Sequence, residues 1–145
     1  MLKKAFFYLI LPAVLLSLSA CFYVNVSRTD RFPAEAFTQA QQAIARIAAA
    51  DPQRRGHVRK LHVMVYEGDD GELVRASFPI WLVKLGMKWD AKDEEARDHR
   101  DTLAKAADTA GVDWDDPDTL IRLGPGLIAQ VDEVEDDTHV LVWLE

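Results

Sequence analysis

The reactive side chains of this chain are few, and their spacing follows no catalytic or metal-binding pattern. Zinc sites need three or four converging ligands, with some of them close in sequence. The acids around Asp70 lack the alternate-position spacing of an EF-hand loop, and no serine lies in a Gly-x-Ser-x-Gly motif. The four histidines also lack metal-ligand spacing: His57, His62, His99 and His139. We predict no catalytic residue, no metal and no cofactor, and therefore no enzyme.

The only cysteine, Cys21, follows a segment that is typical of a secretory signal peptide. Two lysines, Lys3 and Lys4, precede an apolar run from Ala5 to Leu18, and small residues end it. The run is shorter than the roughly 20 apolar residues that a transmembrane helix needs. We predict a signal peptide over residues 1–20, and an uncleaved helical anchor is the alternative.

The residues around the cleavage site, Leu18-Ser19-Ala20-Cys21, resemble the bacterial lipoprotein box. The resemblance implies that Cys21 becomes the acylated first residue of the mature protein. Two acyl chains on one residue give stable membrane anchoring, whereas a single chain does not. We expect membrane lipid as a partner, a lipidated tether over residues 21–32, and a location on the exported side of the cell membrane or outer membrane. For the first residues of the tether, Phe22-Tyr23-Val24, the alternative is a place in the membrane interface, where aromatic rings are favoured.

The remaining 125 residues are enough for one domain with a core of its own. Without the signal peptide, 15 of the 17 basic residues remain against 24 acidic ones, for a net charge of −9. Phosphate binding needs a basic surface. The acidic composition therefore argues against nucleic acid as a partner, and against electrostatic docking of the whole body on anionic lipid.

Periodicity predicts one helix, two hairpins and a group of helices between the hairpins. Apolar residues at helical spacing predict an amphipathic helix over residues 33–51. Alternating apolar residues on both sides of Asp70-Gly71 predict a first hairpin, because glycine suits such a turn. A second alternating pair surrounds Asp136-Asp137. Between the hairpins, the pattern predicts helices over residues 79–89, 90–111 and 116–123.

These elements predict an α+β domain over residues 54–145. We expect the two hairpins to form a four-stranded antiparallel sheet with the helices packed on one face. The signal peptide, the tether and the helix over 33–51 would precede this domain.

The segment from Pro79 to Trp89 is apolar around most of the helical wheel, apart from Lys84 and Lys88 beside Trp81. A helix of this kind is buried or binds something apolar. A two-layer domain can bury only part of it. We therefore predict an interaction face of Trp81, Lys84 and Lys88, with a buried core helix as the alternative.

About half of the mature chain resembles the hairpin–helix–hairpin domain of Lia-type bacterial envelope-stress proteins. The first part of the resemblance is the Leu61–Tyr66 strand, the Asp70-Gly71 turn and the segment 78–85. The second part is residues 126–128, 131–132 and 140–145, although the second turn lacks the family's usual glycine. The resemblance implies a non-enzymatic interaction module of the cell envelope, and it implies no site residues.

The sequence therefore predicts a lipid-anchored envelope protein that acts through a protein partner. It does not predict the oligomeric state. The alternative is a small periplasmic hydrolase or ligand carrier. A pocket lined by Trp81, Trp89 or Trp143 with converging polar groups would favour that alternative.

Overall fold

A computed structural model describes residues 22–86 and 117–145 of the chain. The signal peptide, Cys21 and the predicted helix over 90–111 lie outside these residues. Within the described ranges, the chain forms five strands and three helices. In chain order these elements are β1 Tyr23–Arg28, α1 Ala34–Ala50, β2 Lys60–Glu67, β3 Glu72–Pro79, α2 Ile80–Gly86, α3 Pro117–Leu123, β4 Gly126–Glu133 and β5 Thr138–Leu144.

The strands form one antiparallel sheet in the order β1-β3-β2-β5-β4. The α+β class is therefore confirmed, and both predicted hairpins are present. Gly71 has a φ of 60° in the first turn, where glycine avoids the steric cost of a side chain. The hairpins meet through β2 and β5, in a register that places Leu61 opposite Leu144.

The prediction of four strands is wrong, because part of the segment assigned to a tether is an edge strand. β1 pairs with β3 along its whole length, from Tyr23 opposite Ser77 to Arg28 opposite Glu72. The segment contains β-branched Val24 and Val26 at alternate positions, which suits a strand. Asn25 and Ser27 alternate with these valines, so the segment also resembles a polar loop in the sequence. Its backbone hydrogen bonds depend on β3, which lies almost 50 residues further along the chain.

Both faces of the sheet are covered by helix, because successive side chains of a strand point to opposite sides. The front face carries Met64, Tyr66 and Leu141, which are buried against α1. The back face carries Val140 and Val142, which belong to a second core cluster. The described helices from between the hairpins, α2 and α3, both pack on the back face, whereas α1, which was predicted to precede the domain, covers the front face.

Helix α1 forms part of the core rather than a separate element before it. Phe37, Ala40 and Ile44 lie on one side of this helix at helical spacing and are all buried. They pack with Met64 and Leu141 from the front face of the sheet. The helix ends before Pro52, since a residue that precedes proline is disfavoured in the helical conformation.

The two short helices cover part of the back face. Ile80 and Val83 from α2 and Leu123 from α3 pack against the cluster that includes Val140 and Val142. Within residues 22–86 and 117–145, no helix combines the length and the apolar character that a membrane crossing requires.

Candidate functional site

The register gives the sheet two distinct ends. β1, β2 and β4 begin at the end where β3 and β5 finish, which we call the proximal end. It is defined by Tyr23, Lys60, Pro79, Gly126 and Leu144. The opposite end carries the two hairpin turns, residues 67–72 and 132–137, and we call it the turn end. Cys21 is two residues before β1 and therefore adjoins the proximal end in sequence.

Trp81, from the predicted interaction face, lies in α2 close to the proximal end. The backbone N–H of Ile80 donates to the carbonyl of Arg59 at 2.9 Å, which fixes the start of this helix against β2. Ile80 and Val83 are three residues apart and share the side that faces the sheet. Trp81 lies off that side, and 52% of its surface is exposed.

The predicted lysines of this face are not equally placed. The ammonium of Lys84 lies 2.9 Å from a carboxylate oxygen of Asp118, at the start of α3. This pair links the two short helices. Because both side chains are largely exposed, the pair contributes about 1 kcal/mol or less to stability. Lys88 lies outside the described residues.

A second exposed apolar group lies on β1 and at the residue just before it, in the segment that the sequence assigned to a tether. Phe22, Tyr23, Val24 and Val26 are between 46% and 56% exposed. The ring of Phe22 also contacts the ring of Phe78, with centroids 5.2 Å apart. The signal that could have identified the strand is the alternation of Val24 and Val26, but a six-residue segment with three polar residues is also compatible with a loop.

At the proximal end, the His62 side chain contacts a carboxylate and an aromatic ring. Its Nε2 lies 2.9 Å from a carboxylate oxygen of Glu145, and its ring stacks on Trp143 with centroids 4.8 Å apart. Burial lowers the pKa of His62 from its usual value of 6.5, and the hydrogen bond with Glu145 opposes this shift. These contacts indicate that His62 packs across the strands against Trp143.

His139 lies near the turn end between two carboxylates. Its Nδ1 is 2.7 Å from Asp132, and its Nε2 is 3.2 Å from Asp137. Hydrogen bonding to His139 lowers the pKa of the Asp132 carboxyl. The histidine ring also packs against Phe32 at a centroid distance of 4.3 Å. This arrangement closes the second hairpin and covers the start of α1.

Two features bear on the alternative of an enzyme or ligand carrier. In residues 22–86 and 117–145, no three histidine, cysteine or acidic side chains converge in a way that could hold a metal ion. Trp143, a predicted pocket residue, is only 8% exposed and belongs to the front core cluster. Trp89, another predicted pocket residue, lies outside the described residues.

Comparison of the chain with protein-family models, with curated proteins and with solved structures gave no significant match. The resemblances to the lipoprotein box and to the Lia-type domain therefore stay predictions from the sequence.

Proposed function

We propose that this protein is a lipid-anchored, non-enzymatic module of the bacterial cell envelope that binds another envelope protein. The anchor is the acylated Cys21 of the Leu18-Ser19-Ala20-Cys21 box. β1 begins two residues after Cys21, so a chain cleaved before Cys21 keeps every described element.

The observation that carries the proposed protein contact is the exposure of Trp81. A tryptophan with half of its surface in solvent is a frequent anchor of protein interfaces, because it buries a large area with few rotatable bonds. Ile80 and Val83 hold α2 on the sheet, so the position of Trp81 is fixed before any partner binds. Such preorganisation lowers the entropy cost of association.

Lys84 and Lys88 extend this proposed face. Lys84 already has Asp118 as a partner at 2.9 Å. A surface ion pair of this kind exchanges partners at little cost. An acidic group on the partner protein would therefore compete with Asp118 for the ammonium.

Site-specific photocrosslinking in intact cells tests the proposal. A photoreactive phenylalanine analogue replaces Trp81 in one strain and Val134 in a control strain. Val134 is 93% exposed and lies at the turn end, away from the proposed face. We expect a discrete protein adduct from position 81 and none of the same mass from position 134.

Two further measurements make the result decisive. Val83→Ala changes the sheet-facing side of α2, whereas Trp81→Ala changes the exposed side, so thermal melting should show a larger loss for Val83→Ala. Trp81→Ala should remove the partner adduct captured by a chemical crosslinker. Absence of an adduct from position 81 in a folded, acylated protein would contradict the proposed contact.

A further inference from the structure

The edge strand β1 leaves almost no slack between the proposed anchor and the folded domain. Tyr23, the first residue of β1, lies two residues after Cys21. Two extended residues span at most about 7 Å, whereas the 12 residues of the predicted tether could have spanned about 40 Å. This step rests on the proposed acylation of Cys21. With that acylation, the proximal end of the sheet is held at the membrane surface.

The side chains exposed at this end suit the interface between lipid and water. Phe22 and Tyr23 are 46% and 53% exposed, and they are the first two residues after the anchor. Aromatic rings, tyrosine and tryptophan in particular, are enriched at the headgroup level of membranes. The contact of Phe22 with Phe78 holds one of these rings on the sheet rather than on a free terminus.

Exposed basic residues lie at the same end, in the loop before β2 and at its first residue. Arg55, Arg59 and Lys60 are all exposed. The backbone N–H groups of Arg59 and Lys60 both donate to the carbonyl of Glu145, at 2.6 and 2.9 Å, which places them at the proximal end of the central strands. The nearby acids are already engaged, because Asp51 accepts a hydrogen bond from Gly56 and Glu145 contacts His62.

Arg54 belongs to the same loop but has a different role. Its guanidinium donates to the carbonyls of Gly124 and Leu127, both at 3.0 Å. It therefore holds the loop against the start of β4. The basic side chains of Arg55, Arg59 and Lys60 are left exposed, on this loop and on the first residue of β2.

The turn end has the opposite charge. Its two turns contain nine carboxylates and no basic residue, in the ranges 67–72 and 132–137. The eight residues of β2 separate the two ends by about 26 Å. Because this distance exceeds two Debye lengths of about 8–10 Å at physiological salt, each end interacts with a charged surface independently.

We propose that the proximal end is a membrane-contact surface formed by Phe22, Tyr23, Arg59 and Lys60. It rests on an anionic bilayer, with the aromatic rings at the headgroups and the basic side chains beside lipid phosphates. Repulsion of the nine carboxylates keeps the turn end away from the bilayer. The domain thus stands on its proximal end, and Trp81 lies close to the membrane. The partner that binds Trp81 is accordingly a membrane-associated protein.

Quenching of an added tryptophan by lipid tests this orientation. The full-length protein is purified from membranes and reconstituted into vesicles of phosphatidylethanolamine and phosphatidylglycerol with brominated acyl chains. The variants are Tyr23→Trp and, as a matched control at another exposed site, Val134→Trp. Subtraction of the wild-type emission isolates the added tryptophan. We expect strong quenching at position 23 and little at position 134.

Charge reversal at each end provides the second arm of the experiment. In the Tyr23→Trp background, Arg59→Glu with Lys60→Glu should remove much of the quenching at position 23. Arg28→Glu with Arg31→Glu makes the same change in net charge near the turn end, where both residues are exposed, and should leave the quenching unchanged.

The outcomes separate this inference from the proposed function. Mass spectrometry of each sample reports the state of Cys21. Equal quenching at positions 23 and 134 in an acylated protein would overturn the orientation and leave the anchor intact. An unmodified Cys21 would overturn the proposed anchor and the orientation with it.

Discussion

Replacing Ile44 with alanine measures whether α1 belongs to the core of the domain. Ile44 is 8% exposed and packs in the front cluster with Met64 and Leu141. Truncation of a buried isoleucine to alanine costs about 2–5 kcal/mol, from lost transfer free energy and from the cavity that remains. Alanine is the better helix former by about 0.4 kcal/mol. The expected net loss in unfolding free energy is therefore about 2–4 kcal/mol.

Urea denaturation of the chain 22–145, followed by circular dichroism, gives this quantity. With an m-value of about 2 kcal/mol/M, the transition should move down by about 1–2 M urea. The matched control is Gln42→Ala, an exposed position on the same helix, which should change the midpoint little. An unchanged midpoint for Ile44→Ala, or a separate early transition for the helix, would refute the place of α1 in the front core cluster.

Three further changes test the cross-strand histidine, the loop before β2 and the front face. Since His62 holds its proton less tightly in the folded state than in the unfolded state, the unfolding free energy should fall as pH drops below 6.5. His62→Gln should reduce this pH dependence in a series of urea melts, and an unchanged dependence would contradict the burial of His62. Gly124→Ala should lower the free energy of unfolding by at least about 2 kcal/mol, because Gly124 has a φ of 70° and an added Cβ would overlap the carbonyl oxygen of Arg54. A melting temperature equal to that of the wild type would refute this close approach. Leu141 is 1% exposed and Leu127 is 38% exposed, so Leu141→Ala should lower the unfolding free energy by about 2–5 kcal/mol and Leu127→Ala by less than about 1 kcal/mol. Equal losses in urea melts would contradict the burial of Leu141 on the front face.

The hairpins could be predicted because their signals are local. Alternation along β2 and β3 and the glycine at position 71 specify two strands and the turn between them without reference to the rest of the chain. The helix α1 was predicted for the same reason, since its apolar side repeats every three to four residues. Its place on the front face could not be predicted, because an amphipathic pattern shows that a helix is buried but not against which surface.

The elements that the sequence did not reveal depend on contacts between distant residues. β1 is a strand because β3 supplies its hydrogen bonds. The guanidinium of Arg54 donates to carbonyls 70 and 73 residues further along the chain. Its role therefore differs from that of Arg55, although the two arginines are adjacent in sequence. In the same way, the pair of Lys84 and Asp118 joins two helices across a long separation. Residue type and local spacing carry no information on such pairings.

The charge of the domain gives a related lesson. The net charge alone predicts an acidic domain without affinity for anionic lipid. A net charge does not take into account where in the fold each carboxylate lies. The antiparallel topology gathers nine of them in two turns at one end and leaves Arg55, Arg59 and Lys60 at the other. Only the sheet register, which is a tertiary property, separates these groups.

Lipid attachment at Cys21 is the central claim, and the mass of the N-terminal peptide tests it most directly. The protein is isolated from the membrane fraction, digested and analysed by mass spectrometry, with Cys21→Ala as the control. We expect a peptide that begins at residue 21 and carries a diacylglyceryl group on its sulfur, and we expect the control to lack this group. A peptide with a free Cys21 thiol, or an intact N-terminus at Met1, would contradict the claim.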